Sequence, residues 1–128
     1  MKKFYLFVLS LLIITVAISG CVQNNEKTIK IGDIISNPSA YEGKTVIISG
    51  RYGGWSDSLP CNYSNMAMKT RSDTIVYDDT GCLYMTGDVK IIEKEENVTL
   101  NPWNNVSIGS KIKVKGVIKL IDGKPILD

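Results

Sequence analysis

The sequence predicts an all-β domain that closes into a small barrel. From Thr28 onward no long stretch carries the spacing of apolar residues expected of an amphipathic helix. The chain instead contains short runs rich in valine and isoleucine, separated by glycine and aspartate, a pattern typical of strands joined by turns. Gly50 and Gly116 lie inside two of these runs, where a residue without a side chain permits the sharp bends that a closing sheet requires.

The N-terminal segment has the features of an export signal. Lys2 and Lys3 precede an apolar run, Phe4–Ile18, which has the length of a signal-peptide core and is short for a membrane-spanning helix. The next residues, Ile18-Ser19-Gly20-Cys21, resemble the lipobox of prokaryotic lipoproteins. That resemblance implies a signal peptide at 1–20 and a two-chain lipid, with palmitate-type acyl groups, on Cys21. Residues 21–28 are then a polar tether, and the domain lies on the outer face of the cell membrane. An uncleaved signal-anchor helix is the alternative.

Five strands are predicted after this tether. The clearest is Lys111–Leu120, where lysines alternate with isoleucine, valine and leucine as on a half-buried strand. Asp79-Thr80-Gly81 and Asp122-Gly123 are typical of tight hairpin turns. A short helical turn is expected at Pro38–Tyr41, and Ile91–Glu96 is either a helix or part of a loop. The strands are placed at Thr45–Tyr52, Asp73–Tyr77, Cys82–Thr86, Lys111–Leu120 and Pro125–Leu127.

Several short motifs together resemble small prokaryotic OB-fold domains over residues 29–128. The motifs are Gly32-Asp33-Ile34-Ile35, Asn37-Pro38, Tyr41-Glu42-Gly43-Lys44, Val46 and Gly50, then Asp78-Asp79-Thr80-Gly81 with Leu83-Tyr84, then Gly109, Val114, Gly116 and Val117. The resemblance implies a five-stranded Greek-key barrel. A small open β-sandwich is the alternative fold. The long loop from Gly53 to Ser72 departs from the family pattern.

Composition argues against two classes of function. Removing Lys2 and Lys3 from the 15 basic residues leaves 13, which equals the 13 acidic residues, so the mature chain lacks the basic excess usual in nucleic-acid-binding domains. The chain has no histidine, the commonest general base and metal ligand, which excludes Ser-His and Cys-His nucleophile pairs. We therefore expect no catalytic residues, no metal site and no cofactor, and the domain is interpreted as a non-enzymatic binding module.

Cys61 and Cys82 are the two cysteines of the domain beside the lipid-attachment residue Cys21. Outside the cytoplasm such a pair predicts a disulfide that pins the long loop to the third strand. The alternative is a redox pair or half of a metal site, although the Cys-x-x-Cys spacing is absent.

The candidate binding surface combines lysines of the fourth strand with aromatic residues: Trp55, Tyr63, Tyr84, Lys111, Lys113 and Lys115. A basic groove with stacking rings, which Tyr52 and Tyr77 could extend, favours single-stranded nucleic acid on an OB-fold. The net neutrality of the mature chain and its place outside the cytoplasm favour the other interpretation of the lysines, a solvated strand face that blocks edge-to-edge aggregation. The large apolar residues of the Gly53–Ser72 loop indicate either a contact surface or a cap on one barrel end, and Trp103 could cover the other end.

Other features are weaker. Asp57, Asp73, Asp78 and Asp79 carry calcium-type ligands without a calcium-loop spacing. Asn62, Asn97 and Asn105 match the glycosylation pattern. The partners expected are membrane lipid through Cys21 and a membrane protein, surface glycan or small ligand. A nucleic acid is the alternative partner.

Overall fold

The computed structural model describes residues 27–128, so the predicted signal peptide and Cys21 lie outside the described residues. Two short helices, α1 (Ile31–Ser36) and α2 (Pro38–Tyr41), precede the first strand. A 3-10 turn at Tyr63–Asn65 lies in the loop after that strand. The strands are β1 (Thr45–Gly54), β2 (Thr74–Asp78), β3 (Gly81–Met85), β4 (Lys90–Lys94), β5 (Lys111–Ile121) and β6 (Lys124–Leu127).

All of these strands except β4 close into a five-stranded mixed β-barrel. β1, β2 and β3 form an antiparallel meander, and β1 also pairs with β5. β3 pairs in parallel with β6 through Met85 and Leu127, and β6 returns antiparallel to β5, which closes the ring. This arrangement confirms the predicted all-β, OB-fold-like barrel.

Alternating side chains of the strands fill the inside of the barrel. Val114 and Ile118 of β5 are completely buried, as the alternation along this strand predicts, and they pack with Ile48, Leu83 and Leu127 from three other strands. Each fully buried side chain of this size contributes about 1.5–3 kcal/mol relative to leaving it exposed. Helix α1 and its completely buried Ile31 and Ile34 complete the core.

β5 has partners on both edges and changes partner along one of them. Residues 112–115 pair with β4, whereas residues 118–121 pair with β6. Gly116 lies at the change, and a Cβ atom there would lie 2.9 Å from the carbonyl oxygen of Asp128. This glycine therefore allows the end of β6 to approach the backbone of β5.

The prediction of a helix or a loop at Ile91–Glu96 is wrong for its first four residues, because they belong to strand β4, which ends at Lys94. Every residue of β4 is exposed, including Ile91 and Ile92, so burial does not impose a pattern on its sequence. β4 pairs with the part of the β5 edge that β6 leaves open. The open edge of β5, a strand distant in sequence, thus decides the conformation of the β4 segment.

The helical turn predicted at Pro38–Tyr41 is confirmed as α2, whereas α1 is not predicted by the sequence pattern. α1 is only 6 residues long, too short to display helical periodicity. The backbone N–H of Ile31 donates to the Asp78 carboxylate at 2.9 Å, and that of Gly32 donates to the Thr80 hydroxyl at 2.7 Å. The β2–β3 turn therefore supplies acceptors for the free N–H groups of this helix.

The Asp128 carboxylate, which follows β6, bonds to residues of three other parts of the fold: the loop between β1 and β2, strand β5 and the residue after β3. It accepts a hydrogen bond from the Thr86 hydroxyl at 2.5 Å and forms ion pairs with Lys119 at 2.5 Å and Lys69 at 3.2 Å. The hydrogen bonds from Lys119 and then from Thr86 hold the pKa of this carboxyl well below its usual range. The resulting stabilisation is present above the usual carboxyl pKa and is lost as the pH falls through the lowered value.

Candidate ligand-binding pocket

The loop from Trp55 to Ser72 folds back over the outside of the barrel. Val76 and Leu83 of the β2–β3 hairpin point into the barrel core, whereas Ile75 and Cys82 belong to a second buried cluster. Met66 from the loop packs into that second cluster. Some apolar residues of the loop thus pack against one face of the sheet. The two interpretations of the sequence, a contact surface or a cap on one barrel end, did not predict this placement.

A disulfide joins Cys61 of the loop to Cys82 of β3, as predicted. The two sulfur atoms lie 2.08 Å apart and the two Cα atoms 5.7 Å apart. Because Cys82 is buried in the second cluster, the bond fastens the middle of the loop onto the sheet.

Two polar groups fix the ends of the loop. The Asp73 carboxylate, in a residue 1% exposed, accepts hydrogen bonds from the backbone N–H groups of Lys69 and Thr70 at 2.7 and 2.9 Å. At the other end the indole N–H of Trp55 donates to the Asp73 carbonyl oxygen at 3.0 Å. The Trp55 backbone N–H donates to the carbonyl oxygen of Pro102 at 3.3 Å. Trp55 is therefore held in one orientation between two loops.

An open pocket of about 500 Å³ lies between the loop and the sheet, a size typical of small-molecule sites. It brings together the three aromatic residues of the predicted binding surface, Trp55, Tyr63 and Tyr84. Its other lining side chains are aliphatic or polar: Met68, Ile75, Ser56, Asp57 and Arg71.

Three polar groups of this pocket are available to a ligand. Among residues 27–128, the side chains of Asp57 and Arg71 and the hydroxyl of Tyr84 make no hydrogen bond or ion pair. No buried side-chain polar atom of the described chain lacks a partner, so the unpaired Tyr84 hydroxyl is open to solvent. Burial raises the pKa of Tyr84, with a further contribution from Tyr63 and Asp73. The hydroxyl therefore stays protonated and can both donate and accept.

Trp103 extends the aromatic surface beyond the pocket. Its ring packs edge-on against Trp55, with ring centroids 4.5 Å apart, and the residue is 80% exposed. The expectation that Trp103 covers the second end of the barrel is wrong. Its loop instead bonds to Trp55, and its indole stands in solvent next to a pocket residue.

The lysines of the predicted surface lie elsewhere, along β5 beside β4, and none of them lines the aromatic pocket. Lys113 forms an ion pair with Glu93 at 3.5 Å, and the backbone N–H of Lys111 donates to the Glu95 carboxylate at 3.1 Å. Lys115 is opposite Lys90 in the β4 register. Acidic side chains of β4 and its following turn are therefore interleaved with this row, and the structure does not join lysines and rings in one groove.

Of the other aromatic candidates, Tyr52 is buried in the barrel core and Tyr77 packs beside the second cluster. Neither lines the pocket that Trp55 and Tyr84 form. The sequons are exposed at Asn62, Asn97 and Asn105, and their glycosylation stays a prediction.

The aspartates considered as calcium ligands do not gather in one place. Asp73 binds its own loop, Asp78 binds the hairpin turn and α1, and Asp79 forms an ion pair with Lys30 at 3.0 Å. Within the described part of the chain, no three metal-ligating residues of the types His, Cys, Asp and Glu cluster together.

Arg71, Ser56 and Ile75 were not identified from the sequence as site residues. Arg71 is far from Trp55 in sequence and reaches the same pocket only because the loop turns back on itself. Two signals in the sequence could have indicated that the loop turns back on itself: its length and its disulfide-forming Cys61.

Comparison of the chain with protein-family models, with curated proteins and with solved structures finds no significant match. No helix within residues 27–128 is long and apolar enough to cross a membrane.

Proposed function

We propose that this chain is a membrane-anchored, non-enzymatic binding module on the outer side of a cell membrane, with its ligand site in the aromatic pocket. The observation that carries the proposal is the convergence of Trp55, Tyr63 and Tyr84 on one pocket with unpaired Asp57 and Arg71 at its lining. Pockets with apolar walls and a few convergent polar groups are the usual form of a ligand site.

The rigidity of the pocket supports a binding role. Its walls come from a β-hairpin and from a loop fastened by the Cys61–Cys82 disulfide and by Asp73. A preformed site avoids the entropy cost of ordering its walls when a ligand binds. A catalytic role has less support, because among the described residues the Ser56 hydroxyl is hydrogen-bonded to the hydroxyl and the backbone N–H of Ser58 and not to a general base.

One sequence feature and one structural contact support the placement at a membrane. The lipobox-like Ile18-Ser19-Gly20-Cys21 supports a lipid on Cys21. Thr28 already bridges to Ile47 of β1, so only a short polar segment separates Cys21 from the barrel. A lipid on Cys21 would thus keep the pocket near the membrane surface.

The pocket is tested with 8-anilinonaphthalene-1-sulfonate, a dye that fluoresces in apolar sites. We expect saturable binding to the native protein and at least about a tenfold loss of affinity in Met68→Glu, which places a charge among the pocket's apolar walls. Met68 is 44% exposed, so the fold should persist. Ile92→Glu is the matched control, since Ile92 is 41% exposed on β4, outside the pocket lining. Absence of dye binding, or equal losses in both variants, would contradict the pocket assignment.

The anchor is tested by mass spectrometry of the protein purified from membranes. We expect a chain that begins at Cys21 and carries the added mass of a two-chain lipid. Cys21→Ser should lack the lipid mass, because serine has no thiol to form the thioether. An unmodified chain that retains Met1 in the unsubstituted protein would overturn the lipoprotein assignment.

A further inference from the structure

We propose that the aromatic pocket, if it is the ligand site proposed above, takes a neutral oligosaccharide built of N-acetylhexosamine units, and that Trp103 binds a second unit of the chain. The pocket leaves three hydrogen-bonding side chains unpaired. Asp57 offers only acceptors, Arg71 offers only donors, and the Tyr84 hydroxyl offers both.

This set matches neighbouring sugar hydroxyl groups, each of which both donates and accepts. A carboxylate and a guanidinium present planar pairs of acceptors and donors that engage two adjacent hydroxyls at once. A cationic ligand would meet Arg71, and a polyanion would meet Asp57, so the two charges together favour a ligand without net charge.

The apolar walls match the rest of a sugar ring. A pyranose has one face of C–H groups, which packs flat against aromatic rings such as those of Trp55, Tyr63 and Tyr84. Met68, which is 44% exposed, adds aliphatic surface that none of the sugar hydroxyls would use. The methyl of an N-acetyl group is the part of a sugar that would bury against such surface.

Trp103 indicates a ligand longer than one ring. Its indole is 80% exposed yet packs directly on pocket residue Trp55. An exposed tryptophan of this kind adds a platform for a second sugar unit just outside the pocket. Single-stranded nucleic acid is less well matched, because Arg71 is the only cationic side chain of the pocket lining and the β5 lysines lie outside it.

The test is calorimetric titration of the purified full-length protein with chitohexaose, the six-unit oligomer of β-1,4-linked N-acetylglucosamine. We expect binding that competes with the anilinonaphthalene dye and that weakens about tenfold in Trp103→Ala, the size expected for losing one aromatic contact. Val106→Ala is the matched control, because Val106 is 79% exposed in the same loop, and its affinity should be unchanged. N-acetylglucosamine, a single unit that cannot occupy both sites, should bind both variants equally.

Several outcomes overturn the proposal. Equal affinity for cellohexaose, which lacks the acetamido groups, removes the N-acetyl assignment, and tighter binding of a short thymidine oligonucleotide reassigns the site to nucleic acid. Dye binding that chitohexaose does not displace overturns the glycan assignment while the pocket stands. Failure of the dye itself to bind the pocket refutes the proposed function instead.

Discussion

Replacing Cys61 and Cys82 together with alanine should lower the free energy of unfolding by about 3 kcal/mol. The two residues are separated by 21 positions, and releasing a loop of this length returns that much conformational freedom to the unfolded chain in the entropy model. For a domain of this size the change corresponds to a fall of about 15 °C in melting temperature. Thermal unfolding followed by circular dichroism measures it.

The same bond should matter to the pocket more than to the barrel. The loop that carries Tyr63 and Met68 is fastened to the sheet by this disulfide and by the packing of Met66. Without the bond the loop should sample other positions, and dye affinity should fall even at temperatures where the barrel is folded. Reductant should reproduce both effects in the unsubstituted protein and leave the double variant unchanged. A melting temperature that stays within about 3 °C would show that the bond does not restrain the unfolded chain as assumed.

Gly50→Ala should destabilise the barrel by about 3 kcal/mol. Gly50 lies in β1 beside β2, and a Cβ atom added there would lie 2.5 Å from the carbonyl oxygen of Tyr77. Because the obstacle is backbone, no side chain can rotate away, and the two strands must separate locally. Overpacking of this kind costs about 1–3 kcal/mol, and the upper end applies where two strands are forced apart. Urea unfolding gives the value directly.

Gly87→Ala is the control for that substitution. Nothing lies within 4 Å of a Cβ atom at Gly87, and its backbone does not adopt a positive φ angle. We expect no loss of stability and a gain of up to about 1 kcal/mol, because alanine reduces the freedom of the unfolded chain. Similar losses in both variants would mean that the close approach of β1 and β2 is not what requires glycine at position 50.

The strands that line the barrel were predictable because each is partly buried on one face. β5 shows this best, since Val114 and Ile118 alternate with lysines and are completely buried. β4 and α1 were not predictable for opposite reasons. β4 buries none of its residues and so carries no pattern, whereas α1 is too short for its buried Ile31 and Ile34 to define a period.

The site was predictable in its aromatic half only. Trp55, Tyr63 and Tyr84 were identified because large rings in a long loop and on a short strand are distinctive in any sequence. Arg71 was not, since an arginine in a polar loop has no signature of its own. The lysine row was identified correctly as a row, but Glu93 reaches it only through the pairing of β4 with β5.

The sequence by itself determined the class of the domain and its two hairpin turns, because these depend on local residue order. It also determined the partner of each domain cysteine, because the domain has two cysteines beside Cys21. Only the tertiary structure decided which residues share a pocket. The loop must turn back across β2 and β3 before Arg71 and Trp55 can line one pocket. That return depends on the disulfide, on Asp73 and on the second buried cluster, and such contacts between distant segments leave no periodic trace in the order of residues.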